Sequence, residues 1–281
     1  MRVISLSCIF LLVILSSYSE KPAYTVFSKT GKRSDFTELI KEATKADVVL
    51  FGEIHNVSIG HWLELQLAKE LYYLNKDKLV LGMEMLEADD QLTVNEYIHG
   101  LFEYNTFKNE AKLWNNFETD YRPLLDFARE RRLSFIASNA PRRYANIVYN
   151  HGIDSLAYIA PEAKGWLAPL PILVDTTLQS YKEIIVASGH GGENLIAAQV
   201  LKDATMAYFI IKNYRKGSPF LHFNGEYHNE AIIYYLRKYN PSLKIISISS
   251  VEQEQVESVE KENVGAADYI IVIPADMTKS Y

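Results

Sequence analysis

Short apolar runs rich in β-branched and aromatic residues recur along this chain. They are VVLF at 48–51, LVL at 79–81, LSFIA at 133–137, MAYFII at 206–211, FLHF at 220–223, LKIISI at 243–248 and YIIVI at 269–273. Runs of this length without strict alternation suit strands covered on both faces, which is the situation of a parallel sheet. Helical periodicity fills the gaps. Trp62, Leu65, Ala68, Leu71 and Tyr72 follow one run at three- and four-residue steps, and Ala231, Ile232, Tyr235 and Leu236 follow another. Strand and helix in alternation predict an α/β fold, a largely parallel sheet flanked by helices. The stretch from about 142 to 188 breaks the rhythm, with scattered Tyr, His and Lys and a Pro-containing APLPI at 168–172. It reads as a helical lobe inserted between strands. The expected organisation is a leader at 1–19 followed by one α/β domain over 20–281.

The leader reads as an export signal. Arg2 supplies the positive end, residues 3–15 are nearly all apolar, and Ser17 and Ser19 place small residues before an expected cleavage at Glu20. The apolar run is too short to cross a bilayer comfortably. Cys8, the one cysteine, lies inside this segment. An exported chain without it has neither disulfide nor thiolate, so a metal must be held by His, Asp, Glu or Tyr. The formal charge of −6 becomes −7 once Arg2 is removed, and no Lys/Arg stripe appears, which excludes nucleic acid as a partner on electrostatic grounds. With 48% hydrophobic residues the chain has ample material for a core and is no candidate for disorder.

One five-residue pattern occurs twice: GEIHN at 52–56 and GEYHN at 225–229, each directly after an apolar run and before a helical pattern. Ligands in an open α/β sheet bind beyond the carboxyl ends of the strands, and the polar residues of this chain gather there. VVLF leads to Glu53 and His55, LVLG to Glu84, LSFIA to Ser138 and Asn139, and FLHF carries His222 and leads to Glu226 and His228. Glu84 sits in an apolar MEML run, where an ionised carboxylate is costly without a partner. Imidazoles and carboxylates converging at one mouth suit Zn, Fe or Mn, with His55, Glu84, His222 and His228 as metal ligands. Asn56 and Asn229 fall where helix N-caps are expected, and His61 and His99 read as helix-surface residues. The SGHGGEN loop lacks the spacing of a phosphate cradle, and there is no G-x-S-x-G elbow.

DVVLFGEIHN, GMEM, IASNAPRRY, AAQVLKDATMAYFI and HFNGEYHNE, in that order, resemble the ChaN family of haem-binding, iron-regulated proteins in the Tiki superfamily. The hallmark of that superfamily is a pair of G-x-x-H motifs with an intervening Glu, here Gly52 with His55, Glu84, and Gly225 with His228. The resemblance implies a haem-binding protein of iron acquisition in the periplasm or at the bacterial outer membrane. It implies a stacked haem pair between two subunits of a homodimer, a Tyr on iron, and His and Lys near the propionates. Such proteins are typically lipoproteins of the outer membrane, which makes an outer-membrane haem receptor a candidate partner, and this chain departs from the pattern because Cys8 is not placed for lipidation. The lobe offers Tyr149, Tyr158 and Tyr181 as candidate iron ligands, and His151, His190, Lys164 and Lys182 as propionate partners, with Trp166 as wall. The same resemblance carries a rival. Tiki-type proteases and erythromycin esterases are hydrolases, for which Glu53, His55, Glu84 and His228 would activate water, with or without a divalent metal.

Overall fold

The computed structural model describes residues 22–188 and 192–281; the expected leader at 1–19, its Cys8, and His190 lie outside the described residues. The chain opens with β1 (Thr25–Ser28), β2 (Arg33–Ser34) and α1 (Phe36–Ala43). It continues through β3 (Val48–Glu53), α2 (Ser58–Asn75), β4 (Val80–Glu87), α3 (Gln91–Ile98), α4 (Tyr104–Glu110), α5 (Arg122–Arg131) and β5 (Ser134–Asn139). Next come α6 (Arg142–His151), α7 (Pro161–Lys164), α8 (Gln179–Ser188) and the long α9 (Glu193–Asn213). β6 (Phe220–Gly225), α10 (Asn229–Tyr239), β7 (Ile245–Gln253) and β8 (Tyr269–Pro274) complete the chain.

The eight strands form one sheet in the order β2-β1-β8-β7-β3-β6-β4-β5. All pairings from β8 to β5 are parallel, and β1 closes the far side antiparallel to β8 and to β2. The α/β expectation therefore holds, and its physical basis is visible in single strands. In β3, Val49 and Phe51 pack into the core under α1–α5, while Val48 and Leu50 point to the opposite layer of α9 and α10. Both faces are apolar, so the strand reads as a continuous hydrophobic run.

One run was deceptive. MAYFII belongs to α9, not to a strand. α9 is packed between the sheet, α10 and the lobe, and it is buried nearly all round, so its sequence lacks the polar stripe that marks a surface helix. The antiparallel edge formed by β1 and β2 gave no signal because β1 has only four residues and β2 only two, and neither residue of β2 is buried. The lobe of α6 to α8 has a small core of its own, Tyr144, Val148, Leu156, Ala163 and Leu167, docked on Ala197, Ala198 and Leu201 of α9. No helix among the described residues is long and apolar enough to cross a membrane.

Candidate functional site

The repeated pattern sits on adjacent parallel strands, with Gly52 of β3 opposite Asn224 of β6 and Glu53 opposite Gly225. Each glycine makes room for the other copy. A Cβ on Gly52 would lie 2.4 Å from Asn229 Nδ2 and 2.7 Å from Glu226 Cα, and one on Gly225 would lie 3.0 Å from the His55 ring. The glycines are therefore required by close approach of the two turns. The asparagines are not the N-caps that the sequence led us to expect: α2 and α10 have no side-chain cap bond. Instead Asn229 Nδ2–H donates to the Ile248 carbonyl at 2.8 Å, and its Oδ1 accepts from Asn224 at 3.1 Å, tying the second turn to β7 and β6.

Glu84, at the carboxyl end of β4, is the hub. Its Oε2 accepts the Gly225 N–H at 2.9 Å and its Oε1 lies 3.1 Å from His228 Nε2. His228 Nδ1 bonds Asp203 of α9, whose other oxygen accepts the Tyr181 hydroxyl at 2.7 Å. Burial would strip the proton from His228, but the flanking Glu84 and Asp203 carboxylates win and raise its pKa to about 10. Burial would likewise raise Glu84, yet the His228 charge holds it far below the usual carboxylate range. His55 is the half-buried edge of this centre. Its Nδ1–H donates to Glu53 Oε1 at 2.6 Å, and the Trp114 ring stands edge-on at 4.8 Å. Glu53 and Glu84 lift the pKa of His55 against burial. Tyr121 also donates to Glu53 Oε1, at 2.8 Å.

The sequence-named residues divide accordingly. Glu53, His55, Glu84 and His228 converge. His222 lies one layer inward, fully buried, with Nδ1–H donating to Asn224 Oδ1 at 2.9 Å and Nε2 2.7 Å from the Ser138 hydroxyl. Burial pushes its pKa down to about 4, so it is a neutral structural residue with both nitrogens engaged and is not free to ligate. His228, with a partner on each nitrogen and no exposed surface, is closed to a substrate from solvent. Tyr181 is buried against Asp203, which corrects its assignment as an iron ligand on the lobe surface. Tyr149 and Tyr158 are exposed, 52% and 91%, as are His151, Lys164 and Lys182. Trp166 is partly buried, with the Arg143 guanidinium 5.2 Å from its ring, and packs within the lobe. His99 is exposed as expected, but His61 is not a surface residue: it is buried beside Glu53 and Glu64.

Sequence reasoning missed Asp203, Glu64, Asp120, Tyr121 and Tyr227. Asp203 carried the signal that exposed Glu84, an acid inside an apolar run. Tyr227, between the histidines of the second copy and the first, stacks on His228 at 4.3 Å and forms a half-exposed rim.

The family described as haem-binding uptake, Tiki superfamily, ChaN, matches residues 39–236. The chain belongs to this family. Among solved structures, ChaN of Campylobacter jejuni with cofacially bound heme matches with a TM-score of 0.68 at 18% identity, over 89% of this chain and 96% of that one. A succinoglycan biosynthesis protein (TM-score 0.48, 12% identity, 88% and 92% covered) and the type III effector HopBA1 (0.47, 11%, 84% and 91%) are more distant. None of the curated proteins matches the chain in sequence. The ChaN-like fold is thus shared across nearly the whole chain.

Proposed function

We propose that this ChaN-family protein binds haem on its helical lobe through Tyr158, as an exported homodimer serving haem or iron acquisition. The observation that carries the assignment is a cavity of about 510 Å³ lined by Ile153, Leu156, Tyr158, Leu170, Pro171 and Ile172, with Lys164 in its wall. An apolar slot, an accessible phenol and a cation are the three things a porphyrin with Tyr ligation and propionates requires. When bound, haem supplies the iron and its redox chemistry; this chain supplies an oxygen ligand at Tyr158, a cation at Lys164 and exclusion of water by the apolar wall. Tyr149, His151 and Lys182 are further exposed residues of the lobe.

Two observations support the dimer. Tyr158, Leu173 and Val186 of the lobe are 91%, 59% and 84% exposed. A planar ligand on such a surface stays half wet unless a second copy covers it, and the Campylobacter relative binds heme cofacially. Ligand that fills the interface drives association by mass action. Export rests on the leader and delivery to or from an outer-membrane haem receptor on the iron-uptake role of the family. The hydrolase reading is not favoured, because Glu84 and His228 are enclosed and spent on one another.

Hemin titration tests the assignment. The expected result is a saturable Soret change with a tyrosinate-type high-spin spectrum, lost in Tyr158→Phe and retained in Tyr149→Phe, with sedimentation shifting from monomer to dimer at saturation. An unaltered spectrum in Tyr158→Phe overturns the ligand, and a haem-loaded monomer overturns the dimer.

A further inference from the structure

Glu53 faces two ways. Its Oε1 is occupied by His55 and Tyr121, while Oε2 turns toward α2, where His61 and Glu64 stand one helical turn apart. One donor atom from each of Glu53, His61 and Glu64 lies within 4.8 Å of the other two. All three residues are at least nine-tenths buried.

Four observations point to a cation site there. First, Glu53 Oε2 and Glu64 Oε1 are buried without a hydrogen-bond donor. His61 Nδ1 is 2.8 Å from Glu53 Oε2 and 3.1 Å from Glu64 Oε2, but its single proton is directed at Glu64. Such orphaned oxygens are costly and call for a partner. Second, among the described residues the only cations within ion-pair reach of Glu53, Glu64 and nearby Asp120 are the imidazoles of His55 and His61. Third, His61 Nε2–H donates to the His55 carbonyl at 3.3 Å, with Asp120 3.6 Å away, leaving Nδ1 aimed at the carboxylates. A ligating imidazole is normally fixed in this way through its other nitrogen. Asp120 is itself held by Asn116 at 2.7 Å and by Ser280. Fourth, a cavity of about 420 Å³ has His61 and Asp120 in its wall, together with Ser58, Trp62 and Leu65, and gives an approach from solvent.

We propose that Glu53, His61 and Glu64 form a binding site for a divalent transition-metal ion. An imidazole with two carboxylates favours Zn²⁺, Mn²⁺ or Fe²⁺ over Mg²⁺ and Ca²⁺, which take oxygen sets. Bonds of about 2.0–2.1 Å to a tetrahedral ion place its donors about 3.3 Å apart. The 2.8 and 3.1 Å separations from His61 Nδ1 need to open by only a few tenths of an ångström. On binding, the Nδ1 proton and any proton shared by the carboxylates leave to solvent, while Nε2–H keeps its bond to the His55 carbonyl. The site is separate from the lobe and does not depend on the haem reading.

The test uses the full chain after chelator treatment, titrated calorimetrically with Zn²⁺ and Mn²⁺ and, as controls, Mg²⁺ and Ca²⁺. One equivalent of Zn²⁺ or Mn²⁺ is expected to bind, weakened at least tenfold in His61→Ala and in Glu64→Gln and unchanged in the surface variant His99→Ala. Affinity unaffected by the first two variants, or absence of stoichiometric binding, overturns the site. If either variant fails to fold, X-ray absorption of the Zn²⁺-loaded wild type decides: a shell with one imidazole nitrogen and carboxylate oxygens supports the site, and a shell with no nitrogen or with two or more imidazoles overturns it. Hemin binding by the same preparation reports separately on the lobe.

Discussion

His55 of the first pattern packs on the backbone of Gly225 in the second, so closely that a Cβ there would meet the imidazole Cε1 and Nε2 at 3.0 Å. The reverse contact, Gly52 against Asn229, is tighter still. The duplicated sequence is therefore a reciprocal packing device. Two strand-end turns interlock, and the interlock places Glu84 between the two histidines, paired with His228 and within the field of His55.

The interlock predicts an order among glycine variants. Gly52→Ala meets backbone and a fixed amide at under 3 Å, and is expected to cost more than about 2 kcal/mol. Gly225→Ala meets ring atoms at 3.0–3.1 Å that have some freedom to shift, and should cost about 1 kcal/mol. Gly60→Ala, in α2 with nothing within 4 Å, should instead stabilise by roughly 0.5–1 kcal/mol. Urea midpoints of the three variants check the ranking, and equal losses at 52 and 60 would refute it.

Removing Glu84 takes from the buried His228 one of its two carboxylate partners and leaves it Asp203 as the other. Glu84→Ala should cost about 3–5 kcal/mol, and in the double variant Glu84→Ala, His228→Leu the two losses should be less than additive, with Asp203 left without its imidazole. Additive losses in the double-mutant cycle would mean the two groups do not interact.

The same pair gives a pH dependence. The His228 pKa is raised from the ordinary 6.5 to about 10, so the folded chain keeps a proton that the unfolded chain releases. The stabilisation is complete below pH 6.5 and is lost as pH rises through about 10, with a limiting slope near 1.4 kcal/mol per pH unit. His61, raised to about 11 by Glu53 and Glu64 against burial, acts in the same sense. Urea unfolding with chelator present should therefore show lower stability at pH 9 than at pH 7, with a shallower fall in His228→Asn. A rise in stability over that interval would contradict the arrangement.

Much of this was legible in the chain. The strands β3, β6, β7 and β8 announce themselves because both of their faces are buried, and Glu84 does so because an acid in an apolar run demands a partner. The rest was hidden for identifiable reasons. α9 is enclosed on every side and so imitates a strand in MAYFII. The buried stripe of α2 runs through Gly60, His61, Glu64, Leu67, Ala68 and Leu71, whereas Trp62 is half exposed. Two polar residues lie on the inward face, and a reading that equates apolar with buried rotates the helix away from them. Tyr181 could not be told from Tyr158 by type; only the position of Asp203 separates them.

That separation is itself testable. Tyr181→Phe leaves Asp203 Oδ2 without its donor and should cost about 1–3 kcal/mol while leaving the haem spectrum unchanged. Tyr158→Phe should leave stability nearly intact and remove the tyrosinate spectrum, since the phenol is exposed. Reversal of these two phenotypes would move the ligand into the interior.

The most direct test is a crystal structure of the haem complex. The account predicts Tyr158 Oη on iron, Lys164 beside a propionate, a second copy across the porphyrin face, and the Glu84–His228 pair undisturbed. Iron held instead at His55, or a porphyrin seated at the strand ends away from the 153–172 cavity, would contradict it.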